Sequence, residues 1–152
     1  MVDAFLVRTT HLLFAALWAG SVFYVAFVAI PLARDGAFNT TAPLESIAGK
    51  LALITRISAA VLLLTGIYMA HQLYTVDTLV ETINGQLVLV KVVLWLALAG
   101  LVEVGTSRLE SGLEAKKLRE PAADALTLYR AAAAVAVAAF VVSGAVGTNV
   151  LL

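Results

Sequence analysis

Five ionisable side chains stand inside otherwise apolar stretches of this chain: His11, Arg56, His71, Lys91 and Glu103. In the middle of a bilayer such groups cost roughly 2.5–3.5 kcal/mol each on insertion scales, so each one calls for a partner or a task. Neutral imidazole is the commonest metal ligand and a usual axial ligand of haem iron, which makes His11 and His71 candidate metal contacts. Lys91 joins them as a candidate cofactor contact, its ammonium suited to an anionic group such as a haem propionate. Trp18 follows His11 by seven residues and shares its helix face, while Trp95 lies one turn from Lys91. Met69, two residues from His71, points to a different face and forms no ready chelate with it. Arg56 and Glu103 carry opposite charge on separate stretches, which fits an interhelical pair or an anchoring arginine.

The elements that must hold these groups follow from composition. Of 152 residues, 62% are hydrophobic and 13% charged, and mean hydropathy is +0.99. A soluble domain has about 25% charged residues and far less apolar surface to hide, so a soluble globule is excluded. Ten Lys and Arg balance ten Asp and Glu, which leaves no basic face for nucleic acid. With no cysteine, thiolate sites and disulfides drop out. Both histidines lie in apolar stretches and no phosphate-binding glycine loop is present, so hydrolase and nucleotide-binding chemistry find no support, and the residues favour a non-enzymatic role.

A hydrocarbon core about 30 Å thick takes roughly 20 apolar residues per helix, and four such spans are expected here, near 5–31, 47–74, 86–107 and 129–152. Pro31 is expected to stop the first. The fold is therefore an all-α, single-domain, antiparallel four-helix bundle in the cell membrane, with the lipid bilayer as its surroundings. A cleaved leader is not expected, since the first stretch is too long and its start too poor in basic residues. Basic residues crowd the segments 32–46 and 108–128 (Arg34, Lys116, Lys117, Arg119) and the span ends beside them, whereas the middle loop carries only Asp77 and Glu81. By the positive-inside rule those two segments are cytoplasmic and both termini lie outside. Segment 108–128 reads as a solvated linker, part helical and broken at Pro121. Ala136, Ala139, Ser143 and Gly147 form a small-residue stripe suited to close helix packing.

This layout sets depth. His11 stands 20 residues, about 30 Å of helix, before Pro31 and so near the outer boundary. His71 is about one turn from the outer end of the second span, and Lys91 one to two turns inside the third. Three helices thus bring His11, His71 and Lys91 to a similar outer depth, where they could meet.

The stretch His11-Leu-Leu-Phe-Ala-Ala-Leu-Trp18-Ala-Gly20-Ser-Val-Phe-Tyr24 resembles the opening helix of the copper resistance protein D family. The stretch opening at Lys91 and running through Trp95 is similar to that family's third span. The resemblance implies a membrane protein of copper uptake, export or tolerance, often working beside a periplasmic or extracellular copper-binding protein. Carried over residue by residue, it points to His11 and His71 as copper contacts. The early His, following Trp and third-helix Lys also resemble the membrane-type protoporphyrinogen oxidases, which implies haem b held by His11 and His71 with Lys91 at a propionate. In that group a Tyr-His follows shortly after the Pro-Arg-Leu exit of the first helix, whereas here Ile30-Pro31-Leu32-Ala33-Arg34-Asp35-Gly36 has no histidine close behind it. Three readings stay open: an outer copper vestibule, a haem b redox protein, and a membrane subunit whose polar residues serve packing. A homo-oligomer would widen the narrow frame of four short helices.

Overall fold

The computed structural model describes residues 2–115 and 117–148. Its elements are α1 (Val2–Tyr24), a π-helical turn (Val25–Ala29), α2 (Ile30–Arg34), α3 (Ala42–Leu73), the short α4 (Val76–Glu81), α5 (Ile83–Glu114) and α6 (Arg119–Thr148). No strand occurs among the described residues. The run Val2–Arg34, α3, α5 and the stretch Arg119–Val146 of α6 are each long and apolar enough to cross a membrane. At 1.5 Å per residue the 32 residues of α3 span about 48 Å, so the helices extend beyond a hydrocarbon core about 30 Å thick. The part of the fourth expected span at 149–152 lies outside the described residues, as do Lys116 and the surroundings of Gly147.

The helices run further than the punctuation in the sequence implies, and in both cases proline explains why. Pro31 does not end the first span. Proline lacks the N–H that would bond the carbonyl four residues back, and its ring crowds that carbonyl. The wide π turn just before it absorbs the misfit: Ile30 N–H donates to the Val25 carbonyl, five residues back, and the helix continues to Arg34. The stop comes at Gly36, whose φ of 84° is open to glycine. Ala37 N–H donates to the Leu32 carbonyl at 2.9 Å and Gly36 N–H to the Ala33 carbonyl at 3.2 Å, the paired closure of a Schellman end.

Pro121 likewise breaks nothing. It sits in the first turn of α6, where a missing N–H is harmless. The expected linker 108–128 is instead the end of α5, a turn of a few residues and the start of α6. The two helices approach closely there, because a Cβ on Gly112 would collide with the Pro121 ring. Within the turn Lys117 Nζ donates to Glu120 Oε2 at 2.9 Å, and that hydrogen bond raises the Lys117 ammonium above its ordinary range.

The spans pack in a ring: α1 on α3, α3 on α5, α5 on α6, and α6 back on α1 and α2. Its buried side chains include Trp18, Val22, Ile30, Leu44, Leu51, Val102, Leu109 and Tyr129. All lie in the half of the bundle that carries Arg34, Lys50 and Arg108, termed the basic end below. The small-residue stripe of α6 enters this core at Ala136, which is 1% exposed. Tyr129 and Thr106 tie α6 to α5 by a buried hydroxyl–hydroxyl bond of 3.0 Å.

Candidate metal-contact site

In the other half, His11 projects from α1 against α3. Its ring Cε1 lies beside Gly66, where an added Cβ would stand 3.6 Å away, so a glycine there gives the imidazole room. Nδ1 is 2.7 Å from Thr65 Oγ1. The Thr65 hydroxyl lies 2.6 Å from the Val61 carbonyl, its own helix's acceptor one turn back. A hydroxyl has a single proton, and giving it to Val61 leaves the Thr65 oxygen to accept. His11 therefore donates through Nδ1, and the lone pair of its neutral ring falls on Nε2. A second group fixing the tautomer is the usual support for a metal-ligating histidine.

A cleft of about 280 Å³ lies between the start of α1 and the end of α3, one turn further out than His11. Asp3, Arg8, Tyr68, Met69 and Gln72 line it. Met69 follows Thr65 by one turn, so the thioether and the histidine's partner share one face of α3. Lys91 on α5 is half-buried. Its ammonium makes no hydrogen bond or ion pair among the described residues.

His71 is placed differently. Six residues beyond Thr65, it is turned by roughly 120° around α3 and does not share the face that holds His11. Its side chain is exposed. The structure thus places Thr65 beside His11, with Met69 one turn further along the same face of α3, while His71 stands apart. No group of three or more His, Cys, Asp or Glu is assembled to hold a metal among the described residues.

Deeper in the bundle, Trp18 Nε1 donates to Thr55 Oγ1 at 3.0 Å, both groups buried. Ser58 Oγ and Trp95 Nε1 are buried without a hydrogen-bond partner among the described residues. Arg56 and Glu103 form a two-pronged pair between α3 and α5, Nε to Oε1 at 2.8 Å and Nη2 to Oε2 at 3.1 Å.

Residues 45–149 match the family model of copper resistance protein D. The chain belongs to that family. With its four apolar helices, this member of the copper resistance protein D family is a multi-pass membrane protein. The matched region takes in Thr65, Met69, His71, Lys91 and the Arg56–Glu103 pair, and begins after the helix that carries His11. The resemblance to protoporphyrinogen oxidases finds no support in that match. No curated protein and no solved structure matches the chain.

Sequence reasoning missed Thr65 and set Met69 aside. Met69 is two residues from His71 in sequence, but in space it lines the cleft between α1 and α3. A signal was present: Thr65 and Met69 are one turn apart at the depth that His11 reaches from the other helix.

Proposed function

We propose that this protein handles copper as a substrate at the end of the bundle that carries His11, taking the ion into the cleft between α1 and α3. The observation that carries this reading is the Nδ1 hydrogen bond of His11 to Thr65, which leaves the ring's lone pair on Nε2, about one turn from a cleft that Met69 helps to line. Imidazole and thioether suit Cu(I), and the absence of cysteine fits a site that passes an ion on rather than locking it in a closed thiolate cage. Asp3 would draw a cation to the mouth, whereas Arg8 and Lys91 limit how much positive charge the region holds. Membership of the copper resistance protein D family supports copper as the ion. Under the outside assignment of this end, the cleft would accept copper from a periplasmic or extracellular copper-binding protein.

The test is metal content, an absorption spectrum and Cu(I) affinity by chelator competition on the detergent-purified protein, its His11→Ala and its Met69→Leu variants. About one Cu(I) per chain, weakened tenfold or more in both variants, is the expected result. A Soret band lost in His11→Ala would overturn it in favour of haem b. Copper binding unchanged in both variants would overturn the assignment of the site.

A further inference from the structure

The Arg56–Glu103 pair lies on the outside of the bundle. Its two side chains are 69% and 41% exposed. Arg56 stands six residues, about 9 Å of helix, inside Lys50, and Glu103 five residues, about 7.5 Å, inside Arg108. The pair therefore faces outward below the polar boundary of the basic end. Hydrocarbon is poor cover for ionised groups, which in spanning segments otherwise face a bundle interior or a water-filled space. A guanidinium has five N–H donors, and two are given to Glu103, so three are left with no acceptor among the described residues.

The span beside this pair is also the barest. Of its apolar stretch, α5 has 11% buried inside the bundle, against 28%, 33% and 39% for the other three. Along its outer face run Val93, Ala97, Gly100, Val104, Ser107 and Ser111, all exposed and spaced alternately four and three apart. That is the 3.5-residue seam of a left-handed helix pair, and small residues on it let two backbones approach closely. Glu103 sits immediately beside the seam.

We infer that α5 packs against α5 of a second copy of this chain about a two-fold axis along the membrane normal, with the Arg56–Glu103 pairs of both copies covered at the contact. The occupant follows from charge. A two-fold contact is self-complementary, so a second copy inserted the same way presents one cation and one anion at the same depth. The remaining donors of each Arg56 then find the carboxylate of the other copy, and both pairs leave the hydrocarbon. The inference does not depend on copper.

The cysteine-free chain makes the test direct. Gly100→Cys on the seam is oxidised in native membranes and compared with Leu13→Cys on the outer face of α1, where the side chain is 64% exposed. A disulfide-linked dimer at least tenfold more abundant from Gly100→Cys is expected. Subunit counting by photobleaching in nanodiscs should give dimers for the unaltered chain, and Gly100→Trp should reduce them at least tenfold. An added Cβ at Gly100 meets nothing within 4 Å among the described residues, so the tryptophan blocks the contact without disturbing the fold. A monomeric chain, equal crosslinking at both positions, or dimers indifferent to Gly100→Trp would each overturn the inference.

Discussion

From Trp18 to Ala33 on the first span, Leu44 to Leu62 on α3, Leu98 to Leu113 on α5 and Ala122 to Ala136 on α6, the helices bury a continuous core. Among the described residues, no hydrophobic side chain is buried in 2–17, 63–97 or 137–146. One bundle thus has a dense end and a loose end. The dense end carries the devices of close approach: alanines on α6, Gly112 under the Pro121 ring, and the π turn that lets the first helix pass its proline. The loose end carries His11, Thr65, Met69, Lys91 and a cleft that opens between helices. Stability and ligand access compete for the same interior, and under the proposed copper site they fall at opposite ends of the bundle. A site that must admit and release an ion needs helices that are not locked together, which requires another region to hold them.

The comparison is most directly broken at Trp18, which is 1% exposed and tied to Thr55. Trp18→Ala removes the largest buried side chain and its bond to Thr55, so a loss of about 3–5 kcal/mol is expected. Thermal unfolding in nanodiscs would read it as a large fall in Tm. If the two ends are separable, the protein that remains folded keeps its copper affinity within about twofold. A parallel collapse of affinity would show that the dense end shapes the site as well as holding it.

The next largest effect belongs to the loose end. Thr65→Val keeps volume but removes the acceptor for His11 Nδ1, releasing the ring and its tautomer. Loss of such a support typically lowers metal affinity about 10–100-fold. Cu(I) competition should show that loss with Tm nearly unchanged, and Thr65→Ser should restore most of it. An affinity that survives Thr65→Val would mean that His11 is held by packing alone.

Much of this division was legible in the residues. The four spans follow from apolar run lengths, and the similar depth of His11 and Lys91 follows from counting turns, since helix rise is constant. The pairing of Arg56 with Glu103 was readable for the same reason. Azimuth was not. Whether His71 turns toward His11 depends on which face of α3 meets α1, and the weak amphipathicity of a span that is apolar all round leaves that face unmarked. Pro31 and Pro121 misled because proline ends helices only where neighbours cannot absorb it; a π turn absorbs one and a first-turn position the other. The crowding of buried side chains at one end also left no trace in composition, because Leu12, exposed, and Leu109, buried, are the same residue in different surroundings.

Tyr129 sharpens the comparison at smaller scale, within the dense end. Tyr129→Phe deletes the 3.0 Å bond to Thr106 while keeping the ring in place. The Thr106 hydroxyl can turn back to a carbonyl of its own helix, so a loss of about 0.5–1.5 kcal/mol is expected, read as a small fall in Tm. A loss as large as that of Trp18→Ala would make the hydroxyl pair, rather than apolar packing, the main tie between α5 and α6.

The smallest effect is expected at His71. It shares the loose end with His11 and is the same residue type, so a reading from sequence gives the two equal standing. The structure separates them by surroundings: His11 is half-buried, hydrogen-bonded and next to a cleft, whereas His71 is exposed on another face of α3. His71→Ala should therefore change Cu(I) affinity by less than about twofold and stability by less than about 0.5 kcal/mol, as for an exposed substitution away from any tie. Measured beside His11→Ala in one chelator series, the pair isolates the effect of position from that of chemistry. Equal losses in both variants would require α3 to rotate by roughly a third of a turn when copper binds, and would place the second contact on the face now turned away.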